Sequence, residues 1–151
     1  MIICMVFTGC SKNSLKFSVQ YIRTYRNLDD ISSVTAVNSP EKLQDYCIYI
    51  EQNGGNISST NADGMSFEGA IQKYDDDFFE KKLLAVVFLK EGSGSIKHKV
   101  TSVVKNTEKI DINIKRKSPQ TVNAMVAYWY IIIELEKENV PDNAVFSLNV
   151  K

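Results

Sequence analysis

Several side chains in this sequence have types and spacings that chemistry could use. Ser93 stands in Gly92-Ser93-Gly94-Ser95, which superficially suggests a serine nucleophile elbow but is not GxSxG, and His98, the single histidine, follows it. An elbow needs a strand-to-helix turn, whereas the segments on both sides of this one read as antiparallel strands. One histidine cannot build a multi-histidine metal site within a chain, and alternation puts His98 among apolar neighbours, where a packed, hydrogen-bonded ring is expected. Asp75-Asp76-Asp77 offers oxygen ligands, but adjacent side chains diverge and the spacing of a calcium loop is missing, so the run reads as helix-start charge. Tyr128-Trp129-Tyr130 could form a stacking platform for a sugar or peptide; alternation sends Trp129 to the face opposite the tyrosines, and core packing is the expectation. Cys47 falls on an apolar helical stripe and reads as a small buried hydrophobe. No phosphate-binding glycine loop, HExxH or CxxC pair is present, and no metal or cofactor is expected.

Charge gives a second candidate. The 18 basic and 18 acidic residues cancel, so no global field draws the chain to nucleic acid. Lys97, Lys99, Lys105, Lys115, Arg116 and Lys117 nevertheless make one ribbon locally basic, as edge protection or as a contact for anionic envelope polymer or lipid headgroups. Ser93, Gly94, Ser95, Lys97, Lys99 and Trp129 form the candidate binding surface.

The elements that must position these residues are legible in outline. A chain of 151 residues with 44% hydrophobic and 24% charged residues suits one globular domain, expected over residues 17–151. Phe17, Val19 and Tyr21 alternate with Ser18, Gln20 and Ile22 in a first strand, and Ser33 to Val37 forms a second after the Asn27–Asp30 turn. Ser39-Pro40-Glu41 starts a helix, about 39–52, with Leu43, Tyr46, Cys47 and Ile50 on one stripe and Asn53-Gly54-Gly55 at its end. Residues 53–66 read as the longest loop, and a short helix, about 75–82, precedes Leu83 to Leu89. That run is apolar throughout, which predicts a central strand covered on both faces. Ser95 to Val104 is expected to place Ile96, His98, Val100, Ser102 and Val104 on one face. Ile110, Ile112 and Ile114 mark a half-buried strand, Ala124 to Leu135 another central one, and Val145 to Val150 an edge strand. The expectation is an α+β fold: a mainly antiparallel sheet with the longer helix covering one face and the short helix leading into the central strand.

The opening residues bear on location. An apolar run closes in Phe7-Thr8-Gly9-Cys10 and gives way at once to polar Ser11-Lys12-Asn13-Ser14. This resembles a bacterial lipobox, which implies diacylglycerol on Cys10, residues 1–9 as a signal peptide and residues 10–16 as a lipid-anchored tether on the extracytoplasmic face of the membrane. No Lys or Arg precedes the run, so the signal is expected to start upstream. The competing reading is a first strand beginning at Ile2, with Cys10 an ordinary turn residue. Tyr74-Asp75-Asp76-Asp77-Phe78-Phe79, the 83–89 strand, Ser93-Gly94-Ser95-Ile96, and the stretch from Thr121 through Met125 and Trp129 to Glu134 resemble small lipoproteins of low-GC Gram-positive bacteria. More distantly they are similar to the PrcB C-terminal domain family, which tends to have a Gly-Gly-Tyr-like turn at the Ser-Gly-Ser position. The resemblance covers about residues 70–136. It implies an accessory domain that interacts with or stabilises another cell-envelope protein, and carries over no catalytic residue. The alternative is a hydrolase or protease inhibitor using the loop at 53–66 and the turn at 92–95.

Overall fold

The computed structural model describes residues 13–24, 32–60, 64–107, 109–121 and 124–151. The apolar opening, Cys10 and the Asn27–Asp30 turn lie outside the described residues. Among the described residues, seven strands and three α-helices follow in the order β1 (Phe17–Thr24), β2 (Ser33–Val37), α1 (Pro40–Gln52), α2 (Phe67–Ile71), α3 (Asp76–Lys81), β3 (Lys82–Glu91), β4 (Lys97–Asn106), β5 (Lys109–Lys117), β6 (Ala127–Glu136) and β7 (Val145–Val150), with a 3-10 turn at Lys137–Asn139 before β7. This is an α+β fold, with one difference from expectation: the strands form two sheets. A four-stranded antiparallel sheet has the order β1-β6-β3-β2, and a three-stranded sheet has β4-β5-β7, in which β7 is an edge strand parallel to β5.

The larger sheet is the middle of three layers, and its central strands β3 and β6 are apolar at nearly every position because both faces are covered. Leu84, Val86, Phe88, Tyr128, Tyr130 and Ile132 meet the helices through Leu43, Tyr46, Ile50, Phe67 and Phe79. Their alternate neighbours Ala85, Val87, Leu89, Ile131 and Ile133 meet Val100, Val103, Ile110, Ile112 and Ile114 of the smaller sheet. Ile131, Ile132 and Ile133 are all fully buried, each contributing about 1.5–3 kcal/mol by burial.

The helix ends follow local chemistry. Ser39 accepts from the Lys42 amide at the start of α1, with Pro40 in the first turn, and Asp75 accepts from the Phe78 amide at the start of α3. Gly54, with φ of 82°, closes the turn after α1. At the end of the expected loop, Ser66 caps the short α2, which places Phe67 and Ala70 in the helical-side core.

Two expectations are corrected. The Gly92–Ile96 turn does not join paired strands; it carries the chain from β3 in one sheet to β4 in the other. Along β4 the alternation breaks at Thr101, which is bulged out between the Val100–Ile114 and Ser102–Asn113 pairs. Val103 therefore faces the core and Val104 does not, because an extra residue reverses every side chain beyond it. Within the segment expected as a tether, the Leu15 amide donates to Val103 O at 2.8 Å and the Lys105 amide to Asn13 O at 2.8 Å, which fastens residues 13–15 along the edge of β4.

Candidate functional site

One end of the β4–β5 hairpin turns opposite chemistries toward its two faces. The pairs Lys97–Lys117, His98–Arg116 and Lys99–Lys115 succeed one another along the ladder. Side chains alternate across a sheet, so His98 and Arg116 turn inward and the four lysines outward.

Inward, Glu91 is the common partner. It closes β3 with an exposure of 2%. His98 Nε2 donates to its Oε1 at 2.7 Å, Arg116 Nε donates to the same oxygen at 3.0 Å, and Arg116 Nη2 donates to Oε2. A buried carboxylate is tolerated when donors of this kind surround it, and the bond to Glu91 raises the Arg116 guanidinium above its ordinary value. The His98 ring stands edge-on to Trp129, 5.3 Å between centroids. His98 Nδ1 and Trp129 Nε1 are buried without a hydrogen-bond partner among the described residues. The imidazole has no exposed side-chain surface, so it cannot meet a substrate in this conformation.

The Ser93–Ser95 turn is fastened beside this cluster. The Ser95 amide donates to Ser93 Oγ at 3.2 Å, and the Gly94 amide donates to Met125 O at 2.8 Å. The Arg23 guanidinium lies over Gly94, where a Cβ would stand 2.7 Å from its Cζ, so only glycine leaves that place for the arginine. Met125 and Val126 are exposed beside the turn. The loop at 53–66 lies elsewhere, with Ile57 and Met65 against the helical-side core.

Outward, Lys97, Lys99, Lys115 and Lys117 are exposed. Lys151 joins them: its amide donates to Ile114 O at 3.0 Å, and its carbonyl accepts from the Arg116 amide at 2.6 Å, a pair that brackets Lys115. Lys105 belongs elsewhere, since it pairs with the core residue Ile110. Further along the same face, Asn113 Nδ2 donates to Ser102 Oγ at 3.0 Å and Asn149 Nδ2 to Asn113 Oδ1 at 3.2 Å, a neutral polar row across three strands. Beyond it, the Ser147 hydroxyl and Lys109 hold the Asp111 carboxyl below its ordinary value.

The structure thus brings Ser93, Gly94 and Ser95 to one turn and Lys97 and Lys99 to one exposed face, while Trp129 stands between the sheets against His98. Glu91 is the residue that sequence reasoning missed. Its signal was the alternation of β3, which sets Glu91 on the inward face of Leu89 and obliges it to find cationic or donor partners. Cys47 lies against the helical-side core, where burial, reinforced by Glu51 and Glu68, pushes its thiol up and keeps it protonated at neutral pH. Comparison of the chain with family models, with curated proteins and with solved structures gives no match.

Proposed function

We propose that this protein is a lipid-anchored extracytoplasmic binding domain that engages and stabilises another cell-envelope protein. Cys10 holds it at the membrane, and the strand-end surface that Met125 and Val126 form beside the turn of buried Ser93 and Gly94 meets the partner. The observation that carries this reading is the fastening of that surface: the turn is bonded to the Met125 carbonyl and covered by Arg23, and the neighbouring Glu91 cluster ties the two sheets together. Two apolar side chains, Met125 at 55% and Val126 at 44% exposure, stand on this rigid base, and a prepared apolar contact costs little ordering on binding. The lipobox-like opening and the resemblance to lipoproteins with accessory roles support the envelope setting.

Affinity purification of the tagged full chain from detergent-solubilised envelope tests the proposal. An envelope protein should co-purify with the wild type and be lost with Met125→Asp together with Val126→Asp, two exposed changes that leave the fold intact. Equal recovery by both chains, or recovery of cytosolic proteins alone, would overturn it.

A further inference from the structure

The outward lysines are placed at a cost to the fold. Like charges directly opposite each other on neighbouring strands are destabilising, yet Lys97 opposes Lys117, Lys99 opposes Lys115, and Lys151 stands beside Lys115. Lys97, Lys115, Lys117 and Lys151 have no carboxylate partner among the described residues. Solvation alone does not require this arrangement, since Ser102, Asn113 and Asn149 pave the same face with neutral groups. The chain has no net charge, but its charge is polarised: Asp75, Asp76, Asp77 and Glu80 lie exposed on the helical layer, across the middle sheet from the lysines.

We infer that the outward face of β4-β5-β7 rests on an anionic bilayer, with these lysines against lipid phosphates. The choice of a bilayer rests on the lipid anchor proposed above. Residues 13–15 are fastened along β4 beside Val103–Lys105, at the end of that strand away from Lys97 and Lys99, and only Ser11 and Lys12 separate Asn13 from Cys10. The chain toward Cys10 therefore leaves the edge of the same sheet at the end opposite the lysine pairs, so that anchor and lysines meet one bilayer from the two ends of β4. Three strands about 4.8 Å apart, with paired lysines about 7 Å apart along them, present an array suited to many headgroups. The acidic helices point away from a surface that would repel them. A diacylglycerol already retains the chain, so the lysines serve to orient it, setting the strand-end surface at a fixed height for its partner.

The test uses the full chain carrying Cys10→Ser, so that no lipid is attached, and cosedimentation with vesicles of phosphatidylcholine alone or with 30% phosphatidylglycerol, taken as roughly a bacterial anionic fraction. Binding should require phosphatidylglycerol and weaken as salt rises. At about fivefold per lysine near an anionic surface, Lys115→Glu with Lys117→Glu should weaken it by about 25-fold or more. The same double variant should unfold at a temperature equal to or above that of its parent, because cross-strand repulsion is relieved; a folded chain that no longer binds separates contact from damage. Equal binding by parent and variant, equal binding to both vesicles, or binding to inorganic polyphosphate without binding to the anionic vesicles would overturn the inference. Fatty-acid labelling of the wild type in its native cell reads the anchor separately: an unlabelled chain that still binds these vesicles through the lysines keeps the face and removes the anchor.

Discussion

Glu91 shows how one side chain can join two sheets. It ends a strand of the middle sheet, and both of its cationic or donor partners come from the smaller one. Removing one member of a buried charged group leaves the others uncompensated. Glu91→Ala is therefore expected to cost about 3 kcal/mol, and Glu91→Gln less, because its amide oxygen can still accept. Arg116→Ala should cost nearer 1 kcal/mol, since 44% of its side chain is exposed and water replaces part of the loss. Urea denaturation of the three variants checks the order; an Arg116 variant as unstable as Glu91→Ala would contradict this account of the cluster. At this scale the sequence showed residue types without their directions. Arg116 looked like one more base of a basic ribbon, and only its pairing with His98 reveals that it turns inward.

Among the elements, apolar runs were the most legible. Leu83–Leu89 and Ala127–Ile133 are uninterrupted because each lies beneath cover on both sides, and Pro40 and Asp75 mark helix starts by local chemistry that needs no tertiary context. The division into two sheets was hidden, since Gly92-Ser93-Gly94-Ser95 would serve equally well in a hairpin or in a crossing between sheets. The bulge at Thr101 was hidden too: Ser102, Val103 and Val104 fit either register until Tyr21 is seen to accept from the Val100 amide at 2.8 Å. The joint between the helical layer and β6 carries a pH prediction. Glu134 is half-buried, which opposes its charge, but hydrogen bonds from Lys73 at 2.8 Å and Tyr74 at 3.0 Å, another from Ser18, and the Lys73 charge outweigh burial and hold its carboxyl below the ordinary glutamate value. A carboxyl depressed in the folded state stabilises it above the unfolded pKa of about 4.3 and loses that contribution as pH falls through the folded value. Glu134→Gln should therefore flatten the acid limb of stability against pH below about 4.5, with Asp111 supplying part of the slope that remains. Unfolding curves taken from pH 6 down to 2, roughly the span over which carboxylates titrate, check this; an unchanged slope would contradict it.

At the scale of the whole molecule, three layers separate three properties: an acidic helical side, an apolar middle sheet and a basic outer face. The zero net charge concealed this polarity because composition carries no geometry. Only the strand register turns scattered lysines into opposed pairs. The same geometry fastens residues 13–15 to the basic sheet, so an anchor at Cys10 would hold the body directly against the bilayer. The envelope partner and the resting face both depend on where the protein is located. Mass spectrometry of the N-terminal peptide of the protein isolated from its native cell tests that location most directly. The account predicts a chain that begins at Cys10 with diacylglycerol on the thiol; a chain that retains the residues before Cys10 and carries an unmodified cysteine there would contradict it.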